Sequence, residues 1–175
     1  EVHVDALSNI EGLDIVRITD EKIIIIAAVY NAAQAFRYIK VWQSEDKGTT
    51  WSKLAGHAHK EKNYYVDPDG LGPDSITCAY HDGAIIFLSE DGDSNDIAHY
   101  VSYDLGHTFQ FVQTYADLGS SPNVSTIPGV GFMLAYKDQD SLDPAVKIIA
   151  NPSQTISSIQ TSIVDSTGSD LASAV

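Results

Sequence analysis

The sequence is poor in several residue types that would otherwise direct its interpretation. Of 175 residues only one is cysteine, Cys78, so an internal disulfide is excluded. Its place in the apolar run 76–80 favours a buried, unreactive thiol. Basic residues are also scarce, with 10 lysines and arginines against 24 aspartates and glutamates, for a formal net charge of −14. This acidity excludes a general affinity for nucleic acid or anionic membranes, because both require a basic surface.

Long hydrophobic runs and sustained helical periodicity are missing as well. The apolar stretch 23–29 has the length of a buried strand and falls far short of the roughly 20 residues of a membrane span. Membrane insertion is therefore not expected. With 43% hydrophobic and 19% charged residues, the composition is that of a folded chain, and its length predicts a single β domain over residues 1–175.

Two eight-residue windows of the sequence agree at every polar and glycine position. The first repeat window, residues 44–51, and the second, residues 102–109, both follow the pattern S-x-D-x-G-x-T-aromatic. The pattern predicts a tight turn between two strands, in which Asp accepts backbone N–H groups, Gly takes a conformation closed to other residues, and the ring returns to the core. The residues assigned this structural role are Ser44, Asp46, Gly48, Thr50, Trp51, Ser102, Asp104, Gly106, Thr108 and Phe109.

Short β-rich runs alternate with turn clusters and gather into three groups, at about 11–56, 72–116 and 121–164. Each group contains four runs within about 50 residues, which predicts a four-stranded antiparallel meander. A degenerate turn at 150–156 replaces the repeat window in the third group. We therefore expect an all-β fold of about three four-stranded meanders.

The two repeat windows resemble Asp boxes, the repeats of sialidase-like β-propellers. The resemblance implies that each meander is a propeller blade and that the chain forms a partial or half ring, since propellers typically have four to eight blades. Either the chain is part of a longer polypeptide or copies associate, two of them making a six-bladed ring. The alternative is a β-sandwich that carries Asp-box turns.

The same resemblance bears on catalysis. Arg17-Ile18-Thr19 matches two of three residues of the Arg-Ile-Pro motif with which sialidases begin their arginine triad. Such enzymes hold a substrate carboxylate with three arginines, but this chain has only Arg17 and Arg37. The segment 31–36 also offers no counterpart of the family's acid/base aspartate. The sequence therefore favours a protein that binds without catalysing a reaction.

Candidate binding residues are the two arginines and aromatic residues able to stack on sugar rings, for which core packing is the alternative. The set is Arg17, Tyr30, Arg37, Tyr65 and Tyr115. Two acidic segments share the frame x-D-x-D-S-x-D, and the first resembles the opening of a calcium loop. Its candidate Ca²⁺ ligands are Asp91, Asp93, Asn95 and Asp96, with Asp138, Asp140 and Asp143 in the second segment. The alternative for both segments is an ordinary solvated turn.

Together these features predict non-catalytic recognition of a glycan or cell-surface receptor, in an extracellular, cell-surface or virion setting. In a propeller the loops between second and third strands lie on the face opposite the repeat windows, and the ligand is expected there. Two other classes stay open. One is a sialidase-type exo-glycosidase portion completed by another chain, and the other is a structural assembly module.

Overall fold

The structure is a computed structural model that describes residues 8–31, 36–54, 76–90, 96–116, 118–138, 140, 142–153 and 161–163. Regular structure in these ranges consists of twelve strands. They are β1 (Ser8–Arg17), β2 (Ile23–Asn31), β3 (Phe36–Ser44), β4 (Ser52–Lys53), β5 (Ile76–His81), β6 (Ala84–Glu90), β7 (Ile97–Ser102), β8 (Gln110–Tyr115), β9 (Gly119–Ile127), β10 (Gly131–Asp138), β11 (Pro144–Ile149) and β12 (Thr161–Ile163).

The strands form three four-stranded antiparallel meanders, each made of consecutive strands. Sheet 1 has the order β1-β2-β3-β4, sheet 2 the order β5-β6-β7-β8 and sheet 3 the order β9-β10-β11-β12. The predicted all-β fold of three meanders is thus confirmed, and the alternative of a β-sandwich is not what these residues form. The described part of the chain contains no helix that is long and apolar enough to cross a membrane.

The core lies between neighbouring sheets because alternate residues of each strand point to opposite faces. Ile26 and Val41 of sheet 1 pack with Ile85 and Phe87 of sheet 2 in one cluster. The other face of sheet 2 packs on sheet 3 in a second cluster that includes Leu134. β6 is buried along its whole length, which explains why its residues 84–88 are a continuous apolar run rather than an alternating one.

A repeated hydrogen bond links the first strands of successive sheets. The N–H of Cys78 in β5 donates to Oδ2 of Asp14 in β1 at 2.7 Å. The N–H of Val124 in β9 donates in the same way to Oγ1 of Thr77 in β5 at 3.1 Å. β1, β5 and β9 therefore lie side by side, each satisfying a backbone donor of the next.

Because neighbouring strands are antiparallel, successive connections between strands lie alternately at opposite ends of each sheet. The turns after β1, β5 and β9 share one end with both repeat windows, and we call it the window end. The connections from second to third strands lie at the opposite end, which we call the loop end. In sheet 1, β1 begins at Ser8, before the predicted start of the first group at about residue 11, and its pairing with β2 contains a register shift between Ile10 and Gly12.

Candidate functional site

The first repeat window forms a closed hydrogen-bonded turn. Ser44 Oγ donates to Asp46 Oδ1 at 2.8 Å and accepts the N–H of Gly48 at 2.8 Å. The same carboxylate accepts the N–H of Thr50 at 2.8 Å and its hydroxyl at 2.7 Å. Gly48 has a φ of +88°, which favours glycine at this position. Trp51 donates its indole N–H to Gly48 O at 3.0 Å and covers the turn.

The second repeat window has the same network. Ser102 Oγ donates to Asp104 Oδ1 at 2.8 Å and accepts the N–H of Gly106 at 2.8 Å. Asp104 accepts the N–H of Thr108 at 2.7 Å and its hydroxyl at 2.6 Å. Phe109 is buried in the core between sheets 1 and 2. Both windows thus bind their own backbone, which gives them a structural role in the described fold.

Electrostatics within the windows follow from these bonds. The backbone N–H of Thr50, then its hydroxyl and that of Ser44, lower the pKa of Asp46 from 3.8 to about 2. Burial opposes ionisation of Asp104, but the hydroxyl and N–H of Thr108 outweigh it and lower the pKa of that carboxyl as well. Both carboxylates are therefore charged acceptors at neutral pH and poor candidates for a general acid.

Arg17 lies at the last position of β1, at the window end and away from the loop end where a ligand was expected. Its Nε donates to Thr19 O at 3.1 Å, and its guanidinium pairs with Asp20. The neighbouring turn joins the first repeat window through the N–H of Lys47, which donates to Glu21 O at 2.9 Å. Arg17 is thus an exposed residue at the end of β1 with a local partner, and it lies at the window end because β1 runs toward the windows.

Tyr115 corrects another prediction. Its side chain is 6% exposed and packs in the core between sheets 2 and 3, so its ring has no free face for a sugar. Its hydroxyl lies 2.6 Å from Nδ1 of His99. Burial raises the pKa of this phenol. Tyr30 and Arg37 pair in register near the loop end, but their side chains lie outside the described residues, as does all of Tyr65.

The acidic segments are only partly described. Asp91, Asp93 and Asn95 lie outside the described residues, and the calcium prediction for them stays a prediction. Asp96 is buried just before β7. In the second segment, Oδ1 of Asp138 accepts the N–H of Asp140 at 3.1 Å, which is typical of an Asx turn.

The carbonyl of Asp143 also accepts a backbone bond, from the N–H of Asp138 at 2.9 Å. Among the described residues, no group of three or more His, Cys, Asp or Glu side chains is placed to hold a metal ion.

A cleft of about 260 Å³ lies between sheets 2 and 3 at the window end. The β5–β6 turn, the second repeat window, the β9–β10 turn and the segment after β11 all contribute to it. Its polar and aromatic lining residues are His81, Asp82, Tyr103 and Asn151, with Val130 and Phe132 as its main apolar ones. Its volume is just below the ~300–1,000 Å³ of drug-sized sites, which suits a ligand of one ring.

Local structure fixes the polar wall of the cleft. Asp82 and Gly83 both have positive φ, +46° and +82°, and form the tight turn that an Asp-Gly pair favours between two strands. This turn places His81 Nε2 3.7 Å from Asp82 Oδ2. The His81 ring stands edge-on to Phe132, with centroids 5.8 Å apart and planes at 81°. The imidazole of His81 therefore packs against Phe132 on one side, and the neighbouring Asp82 lines the cleft.

The opposite wall carries an exposed aromatic ring. Tyr103, the second residue of the second repeat window, is 51% exposed, and its hydroxyl bonds with Ser153 Oγ. The N–H of Ser153 in turn donates to Asn151 Oδ1 at 3.0 Å. This chain of bonds ties the ring of Tyr103 to the segment after β11. The cleft thus combines a ring face, a carboxylate, an amide and an imidazole.

Three solved structures are similar to this chain in fold. One is a protein of unknown function from Dyadobacter fermentans, at 15% identity and a TM-score of 0.56. The others are a Hadza microbial sialidase, at 16% and 0.53, and an α-L-arabinofuranosidase from Fusarium graminearum, at 13% and 0.50. Each match covers 82% of this chain but only 38%, 32% and 45% of the respective protein. No protein-family model and no curated protein matches the sequence.

These similarities concern the fold. The three sheets are arranged as blades of a β-propeller, as the sequence predicted, and the matched part of the chain spans less than half the length of each of the three similar proteins. At such low identity the similarity transfers no catalytic or binding residue to this chain.

Sequence reasoning missed the cleft because its walls come from separate turns of two sheets. The Asp82-Gly83 pair is the one local signal, since it marks a hairpin turn. Nothing in the sequence shows that this turn lies opposite Tyr103. That ring occupies a variable position of the second repeat window, where no role was expected.

Proposed function

We propose that this chain is a glycan-binding portion of a β-propeller that recognises its ligand without covalent chemistry. The ligand is a neutral sugar ring of a cell-surface or extracellular glycan, bound in the cleft between sheets 2 and 3. The observation that carries the proposal is the pairing of the exposed Tyr103 ring with Asp82 and Asn151 across one small cleft.

The chemistry of the walls suits a sugar. An exposed aromatic ring offers an apolar surface to the C–H face of a pyranose or furanose. Carboxylate oxygens accept hydrogen bonds from sugar hydroxyls, and the amide of Asn151 provides both donors and an acceptor. An apolar floor with a few polar groups is the usual composition of a small-ligand site.

Charge selects the class of sugar. The chain has a formal net charge of −14, and Asp82 contributes a carboxylate to the cleft itself. A sialic acid or uronic acid would meet like charges there, which opposes binding. In the part of the chain that the structure describes, no arginine or lysine lines the cleft. A neutral hexose or pentose is therefore the better fit.

The described residues of the cleft do not include the pair of carboxyl groups that a glycosidase uses. Most glycosidases use two carboxyl groups about 5–10 Å apart, one as acid and one as base or nucleophile. Asp82 is the only carboxylate among the described residues that line this cleft. This composition favours recognition over hydrolysis at this site.

The comparisons support a glycan-related role. Two of the similar structures are, by name, a sialidase and an arabinofuranosidase, so in those proteins a fold of this kind acts on glycans. The exo-glycosidase alternative draws on the same names, but it requires residues that the described part of the cleft does not supply.

The test is titration calorimetry of the chain with methyl glycosides of galactose, glucose, mannose and arabinose, and with sialic acid. We expect saturable binding of at least one neutral glycoside and none of sialic acid. Tyr103→Ala removes the stacking surface and is expected to weaken binding about 10-fold, equivalent to about 1.4 kcal/mol.

Matched aspartate variants locate the site. Asp82→Asn keeps a residue type that tolerates positive φ and is expected to weaken binding several-fold. Asp140→Asn makes the same charge change in an exposed turn outside the cleft and leaves the affinity unchanged. Absence of binding by the whole panel contradicts the proposed function, and binding that is insensitive to Tyr103→Ala contradicts the proposed site. Release of free sugar from p-nitrophenyl glycosides would favour the exo-glycosidase alternative.

A further inference from the structure

Strand β8 is the least buried strand of sheet 2. Gln110 and Phe111 are exposed, residues 112–114 are half-buried, and only Tyr115 at the end of the strand is buried. The central strand β6, in contrast, is buried along its whole length. β8 also lies at the edge of the sheet, where β7 is its one neighbour among the described strands. Local opening of sheet 2 is therefore expected to begin at β8.

The pairing of β8 with β7 is irregular beside a buried histidine. His99 pairs with Gln113 and Tyr100 pairs with Phe111, so Val112 is an extra residue on β8. A β-bulge of this kind disrupts the ladder locally and bends the strand that carries it. The hold of β7 on its edge strand is thus weakest next to His99, whose side chain is fully buried.

Tyr115 covers this histidine from β8. Its hydroxyl lies 2.6 Å from His99 Nδ1, and the centroids of the two rings are 5.8 Å apart. No described residue accepts or donates a hydrogen bond at His99 Nε2. Protonation of the imidazole adds a charge and a second N–H donor at a place that offers neither water nor an acceptor, which is unfavourable while the strand is closed.

We propose that β8 is an acid-released strand, which protonation of His99 detaches from β7 while the rest of sheet 2 stays folded. Displacement of Tyr115 admits water to the imidazole, so the charge is solvated in the open state. The other elements around His99 are Leu88 on β6 and the residues of sheet 3. Moving either of those would expose the apolar cluster between sheets 2 and 3, whereas release of β8 exposes chiefly Tyr115.

Anchors on both sides limit the opening to β8. Phe109, immediately before the strand, is buried in the core between sheets 1 and 2. After the strand, the N–H of Ser121 in β9 donates to Oε2 of the buried Glu90 at 2.8 Å. The second repeat window and sheet 3 therefore keep their places when β8 leaves. Residues 110–115 are not among the described residues that line the cleft, so the release is independent of sugar binding.

The direction of the pH dependence follows from burial. Burial lowers the pKa of His99 from 6.5 to about 4. In this range the open state, in which water reaches the imidazole, binds a proton that the closed state does not bind. The equilibrium constant for opening therefore rises as the pH falls, by up to about 20-fold between pH 7 and pH 5.

Other titratable groups lie on the two faces that meet around His99. They are Glu90, His81 and Tyr115 on sheet 2, and Tyr136, Asp138 and Lys147 on sheet 3. Burial raises the pKa of both phenols, so they stay protonated in this range. Burial lowers the pKa of Lys147, and Asp138 opposes that shift. Substitution distinguishes the carboxylate of Glu90 and the imidazole of His81 from His99.

The test is native-state hydrogen exchange measured by NMR at pH 7 and pH 5 in low concentrations of urea, with rates corrected for the intrinsic effect of pH. The β8 amides that are protected at pH 7 should lose up to about 20-fold of their protection at pH 5. Their exchange should depend little on urea, because the opening exposes little surface. The β6 amides should exchange through global unfolding and depend steeply on urea. Equal protection and equal urea dependence of the two strands at both pH values overturn the proposal.

Substitutions identify the group that takes the proton. In His99→Gln, the protection of β8 should be the same at both pH values. Glu90→Gln keeps an acceptor for the N–H of Ser121, and this variant and His81→Gln should both retain the loss of protection at pH 5. An undiminished loss in His99→Gln overturns the proposal. The comparison of β8 with β6 in the unaltered chain locates the opening without any variant, so it decides the matter if His99→Gln does not fold.

Discussion

The hydroxyl of Tyr115 lies 2.6 Å from Nδ1 of His99, in the interior between sheets 2 and 3. His99 is fully buried, and its Nε2 has no hydrogen-bond partner among the described residues. Whichever tautomer it adopts, the second nitrogen is left unsatisfied in an apolar environment. The pair therefore ties β7 to β8 while leaving one polar atom without compensation.

This burial makes stability depend on pH. Burial lowers the pKa of His99 from 6.5 to about 4. Between these two pH values the unfolded chain therefore binds a proton at this residue and the folded chain does not. The stability that the neutral His99 contributes is thus fully present above pH 6.5, and it is lost as the pH falls toward 4. At about 1.4 kcal/mol per pKa unit, the loss amounts to about 3 kcal/mol. Urea unfolding at a series of pH values measures it.

Glutamine substitutions distinguish the contribution of His99 to this pH dependence from that of other titratable groups. His99→Gln removes the titration, and its free energy of unfolding should vary little over the same range. His107→Gln, at an exposed position of the second repeat window, should keep the decline of the unaltered chain. A flat profile for the unaltered chain between pH 6.5 and 4 would show that His99 is not excluded from protonation in the fold.

The serine of each repeat window has a measurable structural effect. Ser102 is 1% exposed, and its hydroxyl accepts the N–H of Gly106, which is itself buried. Ser102→Ala leaves that donor unsatisfied and is expected to cost about 1–3 kcal/mol of unfolding free energy. Ser52→Ala, at an exposed position of β4, should change it by less than about 0.5 kcal/mol. Equal effects of the two variants would argue against the turn network as a source of stability.

The bond between Thr77 and Val124 tests the attachment of sheet 3 to sheet 2. Thr77→Val keeps the shape of the side chain but removes the acceptor of the Val124 N–H. Because this donor is buried, we expect a loss of about 1–3 kcal/mol in unfolding free energy. Thr126→Val, at an exposed site of β9, is the control. Hydrogen exchange at the Val124 amide should also accelerate in Thr77→Val, and unchanged protection there would contradict the assigned bond.

The sequence predicted the strands well because burial imposes a simple pattern on them. In β2 and β6, apolar runs of strand length between turn residues are typical of strands buried on both faces. The turns around Asp46 and Asp104 were equally predictable from the sequence, since their hydrogen bonds join residues at most four positions apart. Local chemistry was sufficient for both features.

Features that depend on contacts between distant segments could not be predicted from the sequence in the same way. Tyr115 was predicted as a candidate for sugar stacking, but an aromatic residue at a strand end has the same sequence signature whether it packs inward or outward. Its partner His99 is 16 positions away, on another strand. The placement of Arg17 required the direction of β1 and the position of the following turn. The cleft required the packing of sheet 2 on sheet 3.

Sugar recognition at the cleft is the central claim, and amide chemical-shift mapping tests it most directly. The isotopically labelled chain is titrated with the methyl glycosides of galactose, glucose, mannose and arabinose in turn. The account predicts saturable shifts for at least one of them, concentrated at residues 81–84, 103, 129–132, 150 and 151. Saturable shifts confined to other described residues, or none with any glycoside, would contradict it.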